Sequence, residues 1–281
     1  MCEQHETEEI LSRNWLNQRQ PHDDKARNQT LLKRVIDLLK SSALGKETAP
    51  VVADLGSGTG NNVLYLQKHL STDTHYQLIE QHQFLLEESR RRLGSLSADF
   101  NSRVTFYQSN IDSWLGTQPT DLLTNSALLD LFTETELRSL LLHIETLKTP
   151  MYSSLNYRAV RFFPNDPDDN LYIQLFEQHM SRELDRGRPL GAATCATLER
   201  LIRRSNRLQL FAGHSDWLVP ATDSEFISTN IDFYEKGIGD IITGTQQQHS
   251  LDQWISNKRR LIDKHALSLT VQHKDYLIMP Y

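Results

Sequence analysis

The chain has 281 residues, 38% of them hydrophobic, which is ample for a buried core in one large domain or two small ones. Thirty Lys and Arg against 36 Asp and Glu leave a formal charge of −6, which argues against a surface that tracks a nucleic-acid backbone throughout. A mean hydropathy of −0.52, no apolar run of about 18 residues, an acidic start (Cys2-Glu3-Gln4-His5-Glu6) and only two cysteines argue against a membrane span, a secretory signal and a disulfide framework.

Asn28 to Ser41 carries Leu31, Leu32, Val35, Ile36, Leu38 and Leu39 at helical spacing. Val51 to Leu55 is a short apolar run with β-branched residues, which predicts a buried strand. The pattern then alternates. Helices are expected at Asn61–His69, Gln83–Leu96 and Glu134–Thr146, and strands at Tyr76–Ile79, Arg103–Tyr107, Asp121–Thr124 and Met151–Leu155. Strands separated by helices imply a parallel sheet with helices on both faces and right-handed crossovers. Phe163 to Asp169, with two prolines and three aspartates, reads as a turn ending in a helix cap. Beyond it the pattern predicts helices at Asn170–Asp185 and Ala193–Ser205, and strands at Leu208–Phe211, Leu267–Val271 and Asp275–Ile278. The stretch from Pro220 to Ala266 holds two further helical patterns and is too long for a simple turn, so it is expected to cover something.

The most informative segment is Asp54-Leu55-Gly56-Ser57-Gly58-Thr59-Gly60-Asn61, where a strand runs through three alternate glycines into a helix. Glycine permits positive φ and lets backbone amides approach a ligand, and the helix start adds free N–H groups and partial positive charge. A P-loop would need a Lys after the glycines, and a dinucleotide fingerprint would place its third glycine or alanine where Asn61 stands. A tight strand–helix turn with no ligand is the bland alternative. A second signal is Glu80, at the tip of the next strand, where a carboxylate can accept hydrogen bonds from both hydroxyls of a ribose.

The acidic-x-Gly-x-Gly-x-Gly loop and Glu80 resemble the class I S-adenosylmethionine-dependent methyltransferases, a resemblance carried by motif from Val51 to Tyr157 and beyond that by the order of elements. It implies an α/β fold, a doubly wound, seven-stranded, mostly parallel Rossmann-like sheet, in one domain spanning 1–281. Helical cap segments are expected at 1–45, 162–191 and 220–266, the last two forming a substrate lid. The cofactor implied is S-adenosylmethionine. Its contacts would come from Asp54, Gly56, Ser57, Gly58, Thr59, Gly60, Glu80 and Gln81, with Asn110 and Ile111 at the adenine. Asn125 and Ser126 would lie beside the methionine part, and Arg27 would pair with its carboxylate. The segment Leu123–Phe132 lacks the Asn/Asp-Pro-Pro-Tyr/Phe signature of many enzymes that methylate amino groups of bases or of protein glutamine.

Methyl transfer from a sulfonium is an in-line displacement, and an oxygen or carbon acceptor also needs a base. His179, on a helical stripe with Tyr172, Phe176 and Glu183, and His214 with Asp216 after the Leu208 strand are the candidate bases. Each has a bland alternative as an ordinary core or loop residue. No histidine or cysteine spacing suggests a metal. The expectation is a cytoplasmic methyltransferase acting on a small molecule, at oxygen or alternatively at carbon or nitrogen, without nucleic-acid or membrane partners. An RNA or protein methyltransferase would instead show a contiguous basic surface from Arg200, Arg203, Arg204, Lys258 and Arg259. A catalytically inactive cofactor-binding protein and an NAD-dependent oxidoreductase are the other rivals.

Overall fold

The computed structural model describes residues 2–43 and 48–281, so Met1, Leu44 and Gly45 of the expected N-terminal cap lie outside the described residues. Two helices open the chain, α1 (Cys2–Ala26) and α2 (Gln29–Ala43). The alternating part runs β1 (Val51–Leu55), α3 (Asn61–Leu66), β2 (His75–Glu80), α4 (Gln83–Gly94), the short α5 (Ala98–Asn101) and β3 (Val104–Gln108). It continues with the short α6 (Ile111–Trp114), β4 (Leu122–Ser126), α7 (Glu134–Leu147) and β5 (Met151–Phe163). Then follow α8 (Asp169–Met180), α9 (Thr194–Arg204), β6 (Leu208–His214), β7 (Trp217–Val219), α10 (Ser224–Gly239), α11 (Thr245–Asp263) and β8 (Ser268–Pro280). Among the described residues no helix is long and apolar enough to cross a membrane.

The strands form one sheet in the order β3-β2-β1-β4-β5-β8-β6. The first five are parallel, and β8 runs antiparallel between β5 and β6. The expected seven-stranded sheet gains an eighth strand, because the three-residue β7 pairs with the outer half of β8. The separate strands expected at Leu267–Val271 and Asp275–Ile278 are one continuous strand. Likewise β5 continues to Phe163, so residues 162 and 163 belong to the sheet rather than to an insertion.

Side chains alternate across the sheet as period two requires. Val52, Leu78, Leu122, Tyr152 and Leu277 meet Leu31, Val35, Val63 and Leu93 from α2, α3 and α4 on one face. Ala53, Ile79, Leu123, Met151 and Ile278 meet Leu137, Leu140, Leu198 and Leu201 from α7 and α9 on the other. A third core lies beyond the parallel sheet, where the outer parts of β5 and β8 pack with β7, α8, α10 and α11 around Phe162, Trp217, Phe226, Ile231 and Trp254.

The long β5 is bent where it leaves the parallel sheet. Leu155 adopts φ 56°, and the β5–β8 register shifts between Ser153 and Asn156. The buried Asp275 carboxylate holds this bend, accepting from Leu155 N (2.8 Å), Tyr152 Oη (3.0 Å) and Asn28 N at the start of α2 (2.9 Å). Asn28 also accepts from Leu31 N at 3.0 Å, capping that helix.

Candidate functional site

Strands β2 and β3 fan out on one side of β1, and β4 and β5 on the other. The crevice at the carboxyl ends of such strands is where open α/β sheets bind ligands. A cavity of about 870 Å³ occupies that place. Its walls come from the loop after β1 (Gly56–Thr59), the tip of β2 (Glu80, Gln81), the start of α6 (Asn110–Ser113), the turn after β4 (Ser126–Leu128) and the inner face of α1 (Leu16, Arg19, Asp23).

The glycine loop is shaped by conformation and by crowding. Gly56 has φ 61°, and a Cβ there would stand 2.7 Å from Leu128 Cδ1. Gly58 has φ 53° and faces Leu16 of α1. Gly60, at φ 81°, lies outside the cavity lining and packs against Ser89 and Leu93 of α4, so its place is structural. Glu80 is buried, with Oε2 accepting from Gly58 N (3.0 Å) and Oε1 from His82 N (2.9 Å). Both oxygens keep a lone pair for a ligand.

At the β1–β4 end lies a buried polar network. Asn62 Nδ2 donates to Asp54 Oδ1 at 2.7 Å and to Thr124 Oγ1 at 3.1 Å. Asp54 Oδ2 has no hydrogen-bond partner. Burial pushes the Asp54 carboxyl up to about 7, against the Asn62 hydrogen bond and the Arg27 charge that both lower it. Arg27 is 3% exposed and donates to Asn62 Oδ1 (2.8 Å), Ser126 Oγ (3.2 Å) and Ser154 Oγ, with its guanidinium over the Tyr65 ring. Its Nε is unpartnered, and no carboxylate lies within ion-pair distance of it among the described residues. A buried guanidinium with no carboxylate in contact is an unusual cost in a folded chain. Arg27 and Asn125 stand behind the cavity wall rather than on it. Asn125 is buried, accepts from Ser153 Oγ and leaves Nδ2 unpartnered.

Helix α1 closes the top. Asn61 Nδ2 donates to Leu16 O, and Arg92 of α4 reaches Thr59 O, Thr59 Oγ1 and Gln20 Oε1 at once, tying helix, loop and α4 together. Arg19 grips Asp23 with two bonds of 2.9 and 3.2 Å and stacks on Trp217, whose Nε1 donates to Asp23 Oδ1. At the adenine end expected from sequence, Asn110 caps α6 by accepting from Ser113 N at 2.8 Å. Asp112, in the first turn of α6, lies on the cavity wall.

The three candidate bases do not line the cavity. His179 stacks on Phe176 and reaches Asp240, just past the end of α10, at 3.8 Å, because α8 turns that stripe toward α10. His214 ends β6, where its carbonyl accepts from Asn28 Nδ2, and Asp216 accepts from His273 N in the β6–β7 turn. Three of the five basic residues that would mark an RNA or protein enzyme are taken up by carboxylates. Lys258 is 1% exposed and paired with Asp169, Arg259 with Asp232 and Glu235, and Arg200 with Glu134.

Sequence reasoning missed a polar cluster beyond the β4 turn. Tyr157 of β5 donates to Glu177 Oε1 of α8 at 3.1 Å, and burial raises both groups. Asp130 Oδ1 is buried and unpartnered, and His273 of β8 is held neutral by burial, pushed down to about 3.

No protein-family model and no curated protein matches the chain. Among solved structures, a cyclopropane-fatty-acyl-phospholipid synthase-like protein from Lactobacillus casei aligns over 92% of this chain and 98% of its own, with 12% identity and a TM-score of 0.55. A SAM-dependent methyltransferase from Thiobacillus denitrificans, in complex with S-adenosylhomocysteine, aligns over 91% and 93% with 12% identity and a TM-score of 0.45. At such identities the likeness is one of fold. The chain has a Rossmann-like α/β fold, with its last strand, β8, inserted antiparallel between β5 and β6.

Proposed function

We propose that the chain binds S-adenosylmethionine in this cavity and transfers its methyl group to a small-molecule acceptor, with oxygen the first acceptor atom to test. The supporting observation is the polarity of the cavity along the strand order. A buried carboxylate, Glu80, stands at the β2 end, and an incompletely satisfied acid and base, Asp54 and Arg27, stand at the β1–β4 end. A nucleoside that carries a zwitterionic amino acid matches that sequence of groups. Glu80 accepts from the ribose hydroxyls and Asp54 Oδ2 meets the ammonium, while the charge of Arg27 acts on the carboxylate from behind the cavity wall. Gly56 and Gly58 leave the room that side chains would fill. When bound, the sulfonium supplies a methyl carbon open to in-line displacement. The chain's own residues hold the ends of the cofactor, and α1 roofs the cavity and limits the water that reaches it. Asp112 and the N–H groups at the start of α6 are the adenine contacts this geometry favours, in place of the Asn110 side-chain oxygen.

The test is thermal unfolding with S-adenosylmethionine, S-adenosylhomocysteine and NAD. A ligand at about 100 times its Kd adds about 2.7 kcal/mol, a rise of several degrees for a chain of this size. The two sulfur nucleosides should raise the transition and NAD should not, because NAD offers no ammonium to Asp54.

A further inference from the structure

Which acceptor the cavity takes is a question the nucleoside reading leaves open, and the inference here rests on that reading. Helix α1 crosses the cavity with one stripe of side chains facing it, Leu16, Arg19 and Asp23 on the lining and Arg27 behind the wall. Leu16 sits over Gly58 in the loop after β1, and Arg27 reaches Ser126 of β4 and Ser154 of β5. Between them, Arg19 lies over Trp217 of β7, its Cζ 5.1 Å from the ring centroid. Strand β7 pairs with β8, beyond β5, so Arg19 is on the side of the cavity away from Glu80 on β2. Its charge is felt at Asp130 after β4 and at His273 of β8, in keeping with that position.

Arg19 is held in place before any ligand arrives. Its side chain is 11% exposed, and Nε and Nη2 donate to the two oxygens of Asp23 at 2.9 and 3.2 Å. Trp217 covers one face of the guanidinium and donates its Nε1 to Asp23 Oδ1 at 3.1 Å. A guanidinium carries five N–H groups. Two are used, and the pair on Nη1 and one on Nη2 have no partner among the described residues. The Asp23 oxygens, by contrast, already accept three hydrogen bonds. The spare capacity at this end of the cavity is therefore that of a donor, beside apolar lining from Ala127 and Leu128. Such a fork matches a group with two acceptor oxygens, and its fixed orientation lowers the ordering that binding requires. The methyl donor brings a sulfonium charge to the same cavity, which favours an anion further.

We propose that Arg19 determines acceptor specificity, and that the acceptor is a small molecule with a carboxylate or phosphate on an apolar body. The free N–H groups of Arg19 hold the oxyanion, while Asp23 and Trp217 hold Arg19. The Glu80 carboxylate repels such a group from the other end, so the contact also orients the acceptor.

The test is calorimetric titration of the full chain, saturated with S-adenosylhomocysteine, with three probes that share a phenyl body: phenylacetate, phenyl phosphate and 2-phenylethanol. At least one of the two anions should bind at least about tenfold more tightly than the alcohol, and the tighter of them identifies the oxyanion. R19Q should abolish that preference while its Kd for S-adenosylhomocysteine stays within about threefold of the wild type. R19K keeps the charge without the fork and should lose at least about threefold of the preference, which decides the matter if R19Q does not fold. Wild-type chain that binds no probe or shows no preference for the anions overturns the assignment, as does a preference that either variant retains in full. Equal losses of anion and S-adenosylhomocysteine affinity in R19Q put Arg19 on the cofactor and overturn it too. No uptake of S-adenosylhomocysteine by the wild type overturns the cofactor reading itself.

Discussion

Lowering the pH from about 7.5 to about 6 should weaken S-adenosylhomocysteine binding through one side chain, Asp54. Its carboxyl lies near 7 because burial costs the charged form more than Asn62 and Arg27 return to it. A ligand ammonium beside Oδ2 favours the carboxylate, so binding is tightest when Asp54 is already ionised. For binding to the ionised form alone, a free value near 7 makes the apparent Kd about eightfold larger at about pH 6 than at about pH 7.5. The window stops short of the ligand's own amino titration, near pH 8. The unliganded protein behaves in the opposite sense. A carboxyl raised in the folded state binds its proton where the unfolded chain has already lost it. Its contribution to stability is therefore fully present below about pH 3.8 and is lost as pH rises toward 7, by about 1.4 kcal/mol per unit inside that window. Calorimetric Kd values and urea unfolding across this range, each compared with D54N, separate Asp54 from the other carboxylates. A Kd that does not change between the two pH values, or a slope that D54N retains, would refute the reasoning.

Replacing Glu80 by Ala removes the acceptor for Gly58 N and His82 N together with the ribose contact. Nucleoside affinity should fall at least about tenfold by calorimetry, while circular dichroism shows the fold retained. G56A forces a side chain into φ 61° and against Leu128, and should cost about 2 kcal/mol in urea unfolding. A127G relieves a positive φ and should leave stability unchanged or raise it by up to about 1 kcal/mol, whereas A127V should lower it. H179A and H214A, outside the cavity, should keep the Kd for S-adenosylmethionine within about twofold of the wild type.

Much of this fold was written locally. The apolar run Val51–Leu55, the alternate glycines and Glu80 each rest on short-range rules of periodicity and conformation, and they lie where those rules place them. The failures have a common physical origin in long-range pairing. β7 is three residues long and exists because β8 offers it an edge, and β5 continues to Phe163 because β8 runs alongside it. The bend at Leu155 depends on Asp275, 120 positions away in the chain. In the site, Gly60 and Asn110 matched a spacing, but spacing does not say which side chain caps a helix and which faces a cavity. His179, His214 and Asp216 were singled out by residue type, and the directions their elements face turn them elsewhere. Asp130, Tyr157, Glu177 and His273 come from four separate elements and carry no motif. Only folding brings them together, so the one available signal was an isolated Asp in the apolar segment after β4.

The most direct measurement is a calorimetric titration of the full chain with S-adenosylhomocysteine at about pH 7.5. One site per chain, with affinity lost in E80A, is the result expected. A folded chain that takes up no S-adenosylhomocysteine, or a wild-type affinity preserved in E80A, would contradict the cavity at the ends of β1, β2 and β4 as a methyl-donor site.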